Sequence, residues 1–138
     1  MHLKLAKAAL LCAALLTLLF TANTTQAQED KVPAGRLRSP ATVRGFIGGE
    51  AHDSYVIHVR KGQTLAVQIS WRREDDNRAD FTVSNSGDFF DSAPVKFGRE
   101  SDKGRRWRGK IPRTGNYYIY VVAHPDARYT LRVTTKGR

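Results

Sequence analysis

Three histidines, His52, His58 and His124, lie beyond the N-terminal apolar run and are the first candidates for metal or acid–base chemistry. No H-E-x-x-H or comparable ligand spacing links them. His58 falls on an outward position of an alternating run and reads as a solvated surface residue, while His52 and His124 fall in loops. No G-x-S-x-G surrounds a serine, and Ser54, between Asp53 and Tyr55, has no base assigned to it. No pair of carboxylates stands out for glycoside hydrolysis. The chain therefore reads as a binding protein without catalytic residues and without a metal centre. Glu74, Asp75 and Asp76 form an acidic group that could offer oxygens to calcium. Arg72, Arg73 and Arg78 are interleaved with it, and the stronger reading is a solvated loop of mixed charge. Calcium stays the one possible cofactor, in a third and weakest reading as a calcium-dependent accessory domain.

Other residues point to binding. In 105–110, Arg106, Arg108 and Lys110 share the outward face of a run whose inward residue is Trp107. Nucleic-acid grooves expose aromatics among their cations. Here the aromatic faces the core, which favours a general anion-binding face or a charge-protected sheet edge. Tyr118 and Tyr120 read as outward aromatics on the next run, and pairing of the two runs would join them to the arginines in a surface typical of binding hot spots. Asp53 opens a strand just before an inward tyrosine, where it could cap the turn through backbone N–H groups.

These residues need strands to position them. Side chains on one face of a strand recur every second residue. That alternation predicts strands at 42–47, 53–60, 64–71, 80–85, 105–111, 116–123 and 128–135, with a short one at 95–97. Tyr55, Ile57 and Val59, then Leu65, Val67, Ile69 and Trp71, then Trp107 and Ile111, and finally Tyr129, Leu131 and Val133 point inward. Turns at 61–63 and 124–126 predict two hairpins, 53–60 with 64–71 and 116–123 with 128–135. The fold class expected is all-β: an antiparallel two-sheet sandwich of seven or eight strands, preceded by a signal-peptide helix.

The N-terminus reads as an export signal. Lys4 and Lys7 precede thirteen uncharged, mostly Ala and Leu residues, and 25–27 ends in a small-residue cleavage site near Ala27. Thirteen residues make a helix of about 20 Å, short of a hydrocarbon core of roughly 30 Å. Expected boundaries are signal peptide 1–27, flexible leader 28–40 and β-domain 41–135, with the mature protein periplasmic or secreted and without a membrane span. Cys12, the single cysteine, leaves with the signal, so the mature chain can form no internal disulfide. The signal holds two of the 23 Lys and Arg and none of the 13 Asp and Glu, leaving a net charge of +8. That balance favours acidic partners, anionic polymers or a membrane surface.

Gly48-Gly49-Glu50-Ala51-His52-Asp53-Ser54-Tyr55-Val56-Ile57-His58-Val59-Arg60-Lys61-Gly62-Gln63-Thr64-Leu65 resembles the bacterial pre-peptidase C-terminal (PPC-like) domain, with its Asp-x-Tyr strand and Gly-Gln turn. Thr114-Gly115-Asn116-Tyr117-Tyr118-Ile119-Tyr120-Val121 and Tyr129-Thr130-Leu131-Arg132-Val133 continue the match. The resemblance implies a sandwich of jelly-roll type. Within it, an exported domain standing alone is most similar to the periplasmic inhibitors of g-type lysozyme, which also carry an Asp-Ala-Arg string like Asp126-Ala127-Arg128. That likeness implies a lysozyme partner, g-type favoured, blocked by loops entering the enzyme cleft. The contact residues implied are Glu50, His52, Asp53, Tyr118, Tyr120, His124 and Arg128. Glu50 stands where the family's first loop tends to have Tyr, and the last hairpin is shorter. The alternative function is an envelope module that binds an anionic polymer or glycan through Arg106, Arg108 and Lys110. No nucleic-acid partner is expected.

Overall fold

The computed structural model describes residues 35–137. The signal peptide and the first part of the leader lie outside them. Nine strands form two sheets: β1 Gly35–Leu37, β2 Ala41–Gly48, β3 Asp53–Val59, β4 Thr64–Trp71, β5 Arg78–Ser84, β6 Arg99–Ser101, β7 Arg106–Lys110, β8 Gly115–His124 and β9 Asp126–Lys136. One sheet has the order β1-β3-β8-β5 and the other β2-β9-β4-β7-β6. All pairings are antiparallel except β1 with β3. No helix occurs among the described residues.

The core lies between the sheets, where alternate residues of each strand meet. Tyr55, Ile57 and Val59 of β3 and Ile119 and Val121 of β8 face Leu65, Val67 and Ile69 of β4 and Leu131 and Val133 of β9. All are buried, as their alternation predicts. Each fully buried aliphatic side chain contributes roughly 1.5–3 kcal/mol of transfer free energy. This apolar layer holds the described domain together with no cysteine among residues 35–137.

Two expected hairpins do not form. β3 and β4 belong to different sheets, and so do β8 and β9. The turn after β3 carries the chain across the core. Its Gly62 has φ +89°, its N–H donates to the Ile111 carbonyl at 2.8 Å, and the Ile111 N–H returns to Gln63 O at 2.8 Å. The cause is physical: a period of two fixes which face is buried but leaves the neighbouring strand open. For the same reason β7 and β8 do not pair, so Arg106, Arg108 and Lys110 do not share a surface with Tyr118 and Tyr120. The expected leader also contributes structure, since Gly35–Leu37 adds a strand parallel to β3 and buries Leu37.

Candidate partner-binding site

Three connections gather at one end of the sandwich. Gly48 pairs with Asp126, Trp71 with Tyr129, Asp53 with Val121 and Arg78 with His124. Loops 49–52 and 72–77 and the link at Pro125 therefore share this end. Asn77, 8% exposed, ties two of them together. Its amide donates to Arg72 O at 3.0 Å and to Asp126 O at 3.2 Å, and its Oδ1 accepts the Glu74 N–H at 2.9 Å. Trp71 Nε1 donates to the Asn77 carbonyl at 3.1 Å. A charged stretch thus becomes a fixed loop through one asparagine that saturates its amide.

Beneath the end lies a polar knot. The Tyr129 hydroxyl donates to the Asp53 carboxylate, and the Tyr55 hydroxyl sits 2.5 Å from that of Tyr129. Asp53 is only 2% exposed. Burial pushes its carboxyl above the usual carboxylate range, against the lowering effects of the Tyr129 hydrogen bond and nearby His52. Burial likewise pushes the Tyr129 phenol well above its ordinary value, and the hydrogen bonds to Asp53 and Tyr55 add to that shift. Asp53 neither caps a turn nor presents itself to a partner. It ties β3 of one sheet to β9 of the other.

Above this base the remaining expected contact residues divide between two faces. On the four-stranded side, His52 stacks on Phe89 at 3.7 Å with the rings 6° apart. Phe90 and Tyr120 meet His52 edge-on, each at 6.4 Å. Tyr118 stacks on Tyr120 at 6.3 Å. Tyr120 points outward from its sheet, yet it is only 3% exposed, because the chain after β5 folds over it, and its hydroxyl donates a hydrogen bond to Ser86 O at 2.6 Å. It supports the cluster rather than contacting a partner. Phe90 crowns the cluster at 92% exposed.

On the five-stranded side, the Arg128 guanidinium lies 5.3 Å over the Phe46 ring, and Phe46 is 54% exposed. The two residues are register partners on β2 and β9. They border a depression of about 550 Å³ whose lining includes Arg44, Ser70, Trp71 and Arg72. Arg105 covers Trp71 at 4.6 Å. Glu50 is exposed in loop 49–52, and exposed His124 lies 3.8 Å from Asp80, which also pairs with Arg78 at 2.8 Å.

Phe46, Phe89 and Phe90 are missing from the contact set that the sequence suggests. Phe46 does occupy an outward position of an alternating run, which was the available signal. Phe89 and Phe90 lie in an irregular stretch without periodicity. In the acidic loop, Glu74 pairs with Arg72 at 3.1 Å, and among the described residues no three His, Cys, Asp or Glu side chains gather as a metal site. Exposed aromatics and a guanidinium on a rigid base can bind a protein surface with a carboxylate-bearing recess.

No protein-family model matches the chain, and no curated protein sequence matches it. Among solved structures, the periplasmic inhibitor of g-type lysozyme from Aeromonas hydrophila superposes with a TM-score of 0.59 at 22% identity, covering 74% of this chain and 95% of the inhibitor. The inhibitor of Salmonella Typhimurium gives 0.52 at 22% identity, over 74% of this chain and 97% of its own. A mutant of the Escherichia coli inhibitor gives 0.50 at 22% identity, over 75% and 100%. The chain shares the β-sandwich fold of these inhibitors along nearly their whole length.

Proposed function

We propose that this protein is a periplasmic, non-catalytic inhibitor of lysozyme, with g-type enzymes the favoured target. The support is a single conjunction: the fold of three g-type lysozyme inhibitors, together with an exposed guanidinium at a loop-bearing end of the sandwich. Glycoside hydrolases work with paired carboxylates in a cleft. Arg128 presents a planar donor fork suited to a carboxylate, and Phe46 beneath it reduces the conformations it must give up on binding. Loops 49–52 and 72–77 would enter the cleft beside it. Glu50, His52 and His124 line this end, while Asp53 holds it from below. An export signal ending near Ala27 would deliver the domain to the compartment where an incoming lysozyme is met.

The deciding measurement is a panel of g-, c- and i-type lysozymes acting on cell walls with increasing protein. Inhibition of the g-type enzyme at or below micromolar protein is expected, with weaker effects on the other two. Full g-type activity at ten micromolar protein overturns the reading.

A further inference from the structure

The outer face of the five-stranded sheet carries a second arrangement, independent of the loop-bearing end. β4 lies between β7 and β9, and its outward residues are all uncharged: Thr64, Ala66, Gln68 and Ser70. The register sets cations on both sides of this floor. Thr64 is flanked by Lys110 and Lys136, Ala66 by Arg108 and Thr134, and Gln68 by Arg106 and Arg132. Adjacent strands are about 4.8 Å apart, so the two banks stand roughly 10 Å from each other, and the rows repeat about every 7 Å along the strands. The rows enclose a shallow cavity of about 370 Å³, whose lining includes Gln68, Arg106, Arg108, Arg132, Thr134 and the buried, inward-facing Trp107, and no acidic side chain. Asp102, 3.9 Å from Arg106 in an exposed pair, lies beyond the end of β6.

Edge protection accounts for charges on β7, which only the short β6 separates from solvent. It does not account for Arg132, which sits on β9 where that strand is bonded on both sides, to Thr42 of β2 and to Gln68 of β4. The cations of the two banks stand on either side of uncharged β4 with no acidic side chain in the cavity between them, so one anionic chain can lie against both rows at once. We infer that the β7–β4–β9 trench binds one extended chain of an anionic polysaccharide. Carboxylate or sulfate groups would pair with the two banks. Sugar hydroxyls would pair with Thr64, Gln68, Ser70 and Thr134 on the floor. Outward positions of these three strands hold no aromatic ring, so the stacking that single-stranded nucleic acid uses is missing. They hold no large apolar side chain either, so nothing there would enter a lipid surface.

The test is binding of the purified protein to heparin and to polygalacturonate, with neutral dextran, an oligothymidylate and vesicles of phosphatidylglycerol alongside. Both charged polysaccharides should bind more tightly than the other three probes, with affinity falling at least tenfold between 50 and 200 mM NaCl. Arg106→Gln/Arg108→Gln/Arg132→Gln should weaken binding at least thirtyfold, and Arg132→Gln alone at least threefold. The side chains are exposed, so a melting temperature within about 2 °C of the parent will confirm that the variants fold. Lysozyme inhibition by the triple variant should stay unchanged, so failure here and failure of the inhibitor reading are separable. The inference is overturned if the folded triple variant binds heparin within twofold of the parent. It is also overturned if oligothymidylate, vesicles or dextran bind as tightly as the charged polysaccharides.

Discussion

Tyr129 on β9 donates its hydroxyl to Asp53 on β3, across the core from one sheet to the other. With that proton committed to Asp53, the Tyr55 hydroxyl is left to donate to Tyr129. Three polar groups thereby satisfy one another inside an apolar layer. Tyr129→Phe keeps the ring and removes the link. The carboxyl is then left buried without its donor, at about 1–3 kcal/mol. For a domain of this size that lowers Tm by roughly 5–15 °C. Thermal unfolding followed by circular dichroism checks this, and a shift below about 2 °C would show that the knot contributes little.

The same knot makes stability depend on pH. Burial lifts the folded-state pKa of Asp53 above its ordinary 3.8. Below that value the carboxyl is protonated in both states and costs nothing. As pH rises, the unfolded chain ionises first, and the folded chain holds the extra proton. Stability supplied by the protonated carboxyl is therefore lost as pH climbs from about 3.8 through the raised folded value, and then stays lost. Urea unfolding of the parent and of Asp53→Asn between pH 3 and pH 7 isolates the effect. The parent-minus-variant difference should decline with rising pH; an increase would reverse the assignment.

Trp107 is seated between two glycines. A Cβ at Gly109 would stand 2.6 Å from its Cη2, and one at Gly98 would stand 2.4 Å from its Cζ2. Gly109→Ala should therefore cost about 1–3 kcal/mol by displacing the indole. Gly98→Ala should cost more, because φ there is +91° and alanine adds backbone strain of roughly 1–2 kcal/mol. Equilibrium unfolding ranks the two, and indole fluorescence reports the displacement. Parent-like stability of both variants would contradict the clash, and equal losses would contradict the added backbone strain at Gly98.

Which residues turn inward was mostly legible from alternation alone: Tyr55, Ile57, Val59, Leu65, Val67, Ile69, Trp107 and Ile111 are all buried, while Trp71, read inward with them, is only half-buried at the end of β4, under Arg105. Which strands become neighbours was not, since β3 and β4 alternate identically whether they share a sheet or face each other across the core. Gly35–Leu37 and Arg99–Ser101 escaped notice because three residues are too few to show a period. At the loop-bearing end, the exposed positions of His124 and Arg128 could be read locally. The burial of Tyr120 could not, because its cover comes from Ser86 and Phe89, more than thirty positions away along the chain. The trench likewise depends on register: Arg106 and Arg132 flank Gln68 only after β4 has been placed between β7 and β9.

Arg128 and Phe90 separate the two faces of the loop-bearing end. Both are exposed, so replacing either with alanine should change stability by no more than about 0.5 kcal/mol. Their effects on inhibition should differ according to which face meets the enzyme. If the Arg128–Phe46 pair meets a carboxylate in the cleft, Arg128→Ala loses a charge-assisted fork and the packing that orients it. The inhibition constant for g-type lysozyme should then rise at least thirtyfold, which corresponds to about 2 kcal/mol, the scale of an interface hot spot. Arg128→Lys should recover little, because an ammonium cannot reproduce the bidentate geometry. Phe90→Ala should raise the constant by less than fivefold, since the ring lies over the opposite sheet beside His52. Titration of each variant against a fixed amount of enzyme gives the three ratios. A large loss for Phe90→Ala with none for Arg128→Ala would move the contact surface from the Arg128–Phe46 side to the Phe89–Phe90 side of this end.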